Sequence, residues 1–224
     1  MHATASRFGL CVVIGLVLGY GANRLVALIP KEVASPNRLR FELSLEPGEK
    51  IAGAVAGNLT NIAGDALVIG TWTDEGRGRV HILSQKRDHY EQVWSSAGSY
   101  GNFAGATIQF IGRQAQPVLI TEWRNGNRGY LDVAAFKWDG RTYREIWDLY
   151  KFIDGGQLAQ AAKLQVQRFD DSGDIQLVIR TPIAKPGEGA FGTLPHQVSI
   201  YRWDNKPQTF ALFKRFVDPQ KSWE

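Results

Sequence analysis

The sequence predicts an all-β fold, a propeller-like array of about three four-stranded repeats that follows one N-terminal transmembrane helix. Two observations carry this prediction. A long apolar run lies near the N-terminus, and three later segments of the chain share one strand-like pattern. The composition, 44% hydrophobic and 21% charged, is typical of a globular domain and excludes general disorder.

The apolar run extends from Phe8 to Ile29 and is interrupted only at Asn23-Arg24. As a helix it would reach roughly 33 Å, enough to cross a bilayer core of about 30 Å. We therefore predict a membrane anchor in residues 1–30. A cleaved signal peptide is the alternative, because a short charged start precedes the run. Cys11 follows Leu10, where a lipoprotein signal would have Gly or Ala, so we do not expect lipidation.

The orientation of this anchor follows from two opposing features. Lys31, Arg38 and Arg40 follow the apolar run, whereas Arg7 alone precedes it, and this favours a cytoplasmic C-terminal domain. A seven-residue tail before an apolar run is typical of an export signal-anchor. We expect a single-pass membrane protein, in contact with the lipid bilayer through residues 8–29. Its soluble domain is expected to be extracytoplasmic, either periplasmic or extracellular.

Beyond the anchor, residues 31–50 are predicted to form a linker, with an edge strand over 40–45. Residues 51–214 form the predicted repeat domain, and residues 215–224 a C-terminal tail. Each repeat contains a first β-like stretch, a continuously apolar strand, an alternating strand and an aromatic strand. The predicted strands are 51–59, 65–72, 78–83 and 90–94, then 104–111, 116–123, 131–138 and 143–147, then 162–169, 174–180, 197–203 and 209–213.

The repeat spacing is the basis for the propeller prediction. Trp72 and Trp123 occupy matching positions 51 residues apart, and Asp139-Gly140 lies where a tight hairpin would turn. Four-stranded units at this period are typical of propeller blades. Three units are too few to close a ring. Either residues 40–59 add part of a fourth sheet, or the array stays open and its edges need a partner.

One segment resembles a known family. Residues 169–179 read FDDSGDIQLVI, which is similar to the FG-GAP or VCBS repeat of integrin-α-type propellers. In that family the acidic loop can hold calcium, so the resemblance points to Asp170, Asp171 and Asp174 as candidate ligands. Ser172 and Gln176 stand where further ligands are expected, and calcium needs six to eight oxygens. We therefore expect no bound metal, and no cofactor.

The sequence also argues against catalysis. It contains no G-x-S-x-G motif, and its single cysteine lies in the apolar run. The Gly-rich stretch 73–79 lacks the Lys-Ser/Thr ending of a phosphate loop. His81 alternates with Val80 and Ile82, which point to the core, so we expect it to face solvent or a neighbouring sheet. We predict that the protein is not an enzyme.

The predicted binding surface is formed by the loops between the second and third strands of each repeat. These loops, 73–79, 124–129 and 181–195, should emerge at one end of the array, where loops on a rigid scaffold often carry function. Hydrated hairpins are the alternative interpretation. We call the candidate residues the arginine rim; they are Arg77, Arg79, Arg124, Asn125, Asn127, Arg128, Lys185 and Phe191.

The charge balance narrows the class of partner. The net charge is +4, but two of the 26 basic residues precede Pro30, which leaves 24 against 22 acidic residues. This near balance excludes a nucleic-acid footprint. We therefore predict a membrane-anchored, non-catalytic binding or scaffold module, an accessory subunit that docks onto a membrane protein complex. A carbohydrate-binding or carbohydrate-cleaving extracytoplasmic β-propeller is the alternative.

Overall fold

The computed structural model describes residues 25–29, 39–60, 62, 64–87, 89–97, 100–112, 114–126, 129–152, 161–168, 175–183 and 195–219. This part of the chain contains fourteen strands and one short 3₁₀ turn, Leu149–Phe152. The predicted all-β class is therefore confirmed. Most of the strands contain several Val, Ile, Thr or aromatic residues, whose side chains pack well on a pleated surface.

The first sheet has six strands in the order β1-β2-β6-β5-β4-β3. They are β1 (Leu25–Ile29), β2 (Leu39–Leu43), β3 (Lys50–Gly57), β4 (Ala66–Trp72), β5 (Val80–Lys86) and β6 (His89–Ser95). Strands β3 to β6 form an antiparallel meander, and β2 adds to it parallel to β6. The chain before the meander thus extends the same sheet.

The other two sheets each contain four consecutive antiparallel strands. The second sheet comprises β7 (Asn102–Ile111), β8 (Gln116–Asn125), β9 (Tyr130–Trp138) and β10 (Tyr143–Asp148). The third comprises β11 (Lys163–Arg168), β12 (Ile175–Pro182), β13 (His196–Asp204) and β14 (Thr209–Asp218). Because all their connections are hairpins, alternate connections lie at opposite ends of each sheet.

Three sequence predictions need correction. Leu25–Ile29 is a strand paired with β2, so the predicted transmembrane segment does not extend through residue 29. Residues 39–43 join the first sheet and not a fourth one, and residues 215–218 belong to β14 and not to a tail. The rest of the predicted anchor, residues 1–24, lies outside the described residues. No helix in the described part is long and apolar enough to span a membrane.

The second sheet lies between the other two and buries both of its faces. One face packs Ile120 and Val133 against Leu177 and Tyr201 of the third sheet. The opposite face packs Leu119, Trp123 and Phe136 against Val68 and Ile82 of the first sheet, as part of a second cluster. This double burial explains the continuous apolar run in β8. Strand β4 is likewise apolar on both faces, because Leu67 and Ile69 join a third cluster with Leu43 and Leu83.

The first and second sheets pack closely at a glycine. Gly70 in β4 lies beneath the ring of Phe103 in β7, and a Cβ atom at position 70 would overlap Cγ and both Cδ atoms of that ring. The Phe103 ring also packs edge-on against Trp123, with the two centroids 5.3 Å apart. The absence of a side chain at Gly70 is therefore what lets the two sheets pack at this distance.

Candidate functional site

The arginine rim is positioned by contacts that join all three sheets. Gly78 exchanges two backbone hydrogen bonds with Tyr100, of 2.9 and 3.0 Å, and Gly101 packs against Asn125. The Arg124 guanidinium donates a 2.7 Å hydrogen bond to the carbonyl of Ala162, just before β11. The β4–β5 hairpin, the β8–β9 hairpin and the start of β11 therefore lie next to one another at one end.

Half of the predicted rim residues lie in the part of the chain that the structure describes. Arg77, Arg79, Arg124 and Asn125 are described, and their two hairpins are neighbours. Asn127, Arg128, Lys185 and Phe191 lie outside the described residues. The same is true of the calcium candidates Asp170, Asp171 and Asp174. Within the described part of the chain, no group of three or more His, Cys, Asp or Glu side chains is arranged to hold a metal ion.

The described arginines of the rim are all paired with carboxylates. Arg77 contacts Glu75, and Arg124 contacts Glu122. The side chain of Arg79 is only 22% exposed and pairs with Glu46 at 2.8 Å and with Glu49 at 3.1 Å. This end of the protein therefore carries positive and negative side chains next to one another. Its net positive charge is lower than the number of its arginines suggests.

Glu49 is the centre of a buried polar cluster that the sequence analysis did not identify. Its carboxylate accepts hydrogen bonds from the Thr71 hydroxyl, from the Glu46 backbone N–H at 2.8 Å, and from the side chains of Arg79 and His81. Burial favours the neutral acid, but the four hydrogen bonds together outweigh it and lower the pKa of Glu49 to about 2. The carboxylate is therefore ionised at neutral pH, although its side chain is 2% exposed.

His81 is buried in this cluster, so of the two expected environments, solvent or a neighbouring sheet, solvent is excluded. Its Nε2 lies 3.2 Å from a Glu49 oxygen, and the residue is 1% exposed. Burial lowers the pKa of His81 below its ordinary value, although Glu49 acts in the opposite direction. A neutral ring that donates its Nε2–H to Glu49 fits both facts. The cluster ties the segment before β3 to the β4–β5 hairpin.

A second polar cluster lies between β9 and β10. The Tyr100 hydroxyl donates to Glu145, and Lys151 contacts Glu145 and lies 3.6 Å from Asp148. Burial, followed by the negative charges of Asp148 and Glu145, raises the pKa of Asp132 to about 6. A charged residue inside the apolar strand sequence Leu131-Asp132-Val133 is the signal by which this site could have been found.

The pKa of Asp132 predicts how stability depends on pH. Because the folded state holds this carboxyl protonated more tightly than the unfolded state, the protein should lose stability as pH rises from about 4 to about 6. Asp132→Asn should remove this loss and raise the free energy of unfolding at pH 7 by about 3 kcal/mol. Urea denaturation at several pH values measures the effect. Glu42→Gln in β2, an exposed site, is the control, and an unchanged pH profile in Asp132→Asn would contradict the assignment.

The opposite end of the second and third sheets contains a groove between hairpins. Two adjoining pockets, of about 330 and 580 Å³, share Gln116, Lys137 and Gln208 as lining residues. We call them together the Lys137 groove. The first pocket is also lined by Gln114, Trp203 and Asn205, and the second by Trp138, Asp139 and Arg144. None of the sequence patterns singled out Lys137.

The groove is rigidly framed. In the β9–β10 hairpin, Asp139 accepts hydrogen bonds of 2.8 and 2.9 Å from the backbone N–H groups of Arg141 and Thr142, which lower its pKa. Gly140 follows with φ of +103°, a conformation that side chains disfavour. The predicted turn at Asp139-Gly140 therefore lies where the sequence placed it, and it forms one wall of the groove.

Comparison with known proteins found no similarity that assigns a function. No protein-family model matches the chain. No curated protein shows significant similarity to it either. The resemblance of residues 169–179 to FG-GAP repeats therefore stays a prediction, and the function is argued from the geometry of the two ends.

Proposed function

We propose that the protein is a non-catalytic binding module that docks onto a protein partner through the arginine rim. The observation that supports this proposal is the joining of all three sheets at that end, through the Gly78–Tyr100 pairing and the bond from Arg124 to Ala162. A surface held in place by such contacts loses little conformational entropy when it binds, which favours affinity.

The exposed charges of the rim support a protein partner. Arg77 with Glu75 and Lys50 with Asp74 form solvent-exposed ion pairs beside the hairpin. Pairs of this kind contribute little to folding, so exchanging their partners in an interface costs little. Alternating charges also set the register of docking and steer encounter. The partner we propose therefore carries a complementary pattern of both signs at its own surface.

The propeller-like and membrane parts of the proposal have separate support. Four consecutive strands in each of three stacked sheets are consistent with an open array of propeller blades. The apolar run from Phe8 is the basis for the membrane anchor. Since Leu25–Ile29 is a strand, a crossing segment would have to end before Leu25. We retain the extracytoplasmic orientation and an accessory role in a membrane complex as parts of this proposal.

Charge reversal at the rim tests the docking surface. Arg77→Glu should reduce several-fold the amount of partner that co-purifies with the full chain from detergent-solubilised membranes, because a charge is reversed in the interface. The free energy of unfolding should change by about 0.5 kcal/mol or less, as for other exposed substitutions, so the melting temperature should hardly shift. Arg168→Glu, an exposed site at the opposite end of β11, is the matched control. Equal recovery of the partner by both variants and the wild type would overturn the proposal.

A further inference from the structure

We propose that the Lys137 groove is a second binding site and that its ligand is an acidic saccharide, held through a carboxylate on the Lys137 ammonium group. This inference does not rest on the docking function of the arginine rim. The hairpins of the groove follow β7, β9 and β13, whereas the rim hairpins follow β4 and β8, so in the second sheet the two surfaces lie at opposite ends.

The charges around Lys137 favour an anionic ligand. Its Nζ donates a 2.7 Å hydrogen bond to the neutral amide of Gln208 and lies 5.9 Å from the centroid of the Trp203 ring. The carboxylates that line the groove are already taken, since Asp139 pairs with Arg144 and Glu145 pairs with Lys151. Among the described residues, no carboxylate forms an ion pair with Lys137.

The environment of Lys137 adds a second reason. Partial burial lowers the pKa of Lys137, because the charged ammonium group loses water without gaining a carboxylate. An incoming carboxylate would restore the lost stabilisation, and a charge-assisted hydrogen bond is stronger than a neutral one. The same burial would make a neutral ligand a poorer fit, since it would remove more water without supplying a charge.

The neutral lining favours a saccharide over a bare anion. Gln114, Gln116, Asn205 and Gln208 place side-chain amides around Lys137. Each amide carries a donor and an acceptor on neighbouring atoms, and this matches adjacent sugar hydroxyls, which both donate and accept. Trp203 adds an aromatic wall, with its indole N–H directed to Asn205 at 3.2 Å. One atom of each amide already has a partner in the groove, since Gln116 donates to Gln114 at 2.9 Å and Gln208 accepts from Lys137. The other amide atoms form no hydrogen bond among the described residues, and a small inorganic anion would reach few of them.

The size and rigidity of the groove fit a short oligosaccharide. The two pockets, about 330 and 580 Å³, each lie in the range of small-molecule sites, about 300 to 1,000 Å³. The hairpin at Gly112 approaches the β13–β14 hairpin so closely that a Cβ atom there would lie 3.0 Å from the Asn205 side chain. The amides are thus held by hairpins in contact, which lowers the entropic cost of binding.

The test compares trigalacturonate with its methyl ester by isothermal titration calorimetry on the full chain in detergent. The ester keeps the sugar rings and removes the charge. We expect trigalacturonate to bind at least tenfold more tightly than the ester. Lys137→Met, which keeps the aliphatic stem, should weaken trigalacturonate binding at least tenfold. Lys206→Met is the matched control, since Lys206 is an exposed lysine on the β13–β14 hairpin, and it should bind as the wild type does.

Each other outcome overturns the proposal. If trigalacturonate does not bind, or if the ester binds equally well, the groove does not recognise a carboxylate. Acetate or inorganic phosphate binding as tightly as trigalacturonate would show an anion site without saccharide recognition. A second variant, Gln208→Ala at an exposed position, separates a loss of binding from a loss of folding in Lys137→Met. It should weaken trigalacturonate binding several-fold with an unchanged melting temperature, and wild-type affinity in both variants would exclude the groove.

Discussion

Replacing Glu49 with glutamine is expected to lower the free energy of unfolding by about 3 kcal/mol or more, the usual effect of removing one partner from a buried ion pair. Glutamine fits the same space but carries no charge, so Arg79 loses its buried counter-ion. The amide nitrogen also cannot accept the hydrogen bonds that the second carboxylate oxygen accepts now. Urea denaturation of the two proteins at pH 7 measures the difference.

Acidification provides an independent check on Glu49. Its folded pKa of about 2 lies below the ordinary value of 4.5, so the ionised form stabilises the fold above pH 4.5. That stabilisation should be lost as pH falls from about 4.5 towards 2, and the loss should be smaller in Glu49→Gln. Glu46→Gln is the control, because Glu46 is exposed and its pair with Arg79 should contribute under 1 kcal/mol. Similar losses in both variants would show that the cluster is not centred on Glu49.

Replacing Gly70 with alanine is expected to lower the free energy of unfolding by about 3 kcal/mol, the upper part of the usual range for overpacking a core. The new methyl group would overlap the ring of Phe103, which is held in turn against Trp123. The ring cannot move without disturbing the contact between the first and second sheets. The shift of the urea midpoint, at an unchanged slope, reports this loss.

Gly105 in β7 provides the matched control. A Cβ atom there meets no other atom within 4 Å, so Gly105→Ala should be neutral or slightly stabilising. Combining Gly70→Ala with Phe103→Ala should cost less than the two changes added together, because the clash disappears with the ring. Additive effects, or equal losses at Gly70 and Gly105, would contradict close packing of the two sheets at this position.

The strand pattern was readable because it depends on local sequence. The apolar run at 116–123 is the strand Gln116–Asn125, and the alternating stretch at 131–138 is Tyr130–Trp138. Side-chain alternation and turn residues such as Asp139-Gly140 act over a few residues, so a single sequence contains them. The loop limits were less exact, since Arg77 and Arg79 lie between strands as predicted, whereas Arg124 and Asn125, predicted to lie in a loop, end strand β8.

Arg77 and Arg124 pair with carboxylates two residues away, but the buried charge partner of Arg79 was not readable, because it comes from a distant part of the chain. Glu49, assigned to a linker, lies thirty positions from Arg79 and is its buried counter-ion. The Lys137 groove depends on a contact across 71 positions, from Lys137 to Gln208. No local pattern reports which hairpins will meet across two sheets, so neither pairing had a signal in the sequence.

By itself, the sequence determined the all-β class and the approximate limits of most strands from β3 onward, since periodicity and turn chemistry are local properties. It also determined that Asp139-Gly140 would turn. The tertiary structure alone decided that residues 25–29 and 39–43 extend the first sheet, that Glu49 pairs with Arg79, and that Lys137 meets amides and not carboxylates. Ionisation and pairing depend on what surrounds a group in space, and the packing of the sheets sets those surroundings.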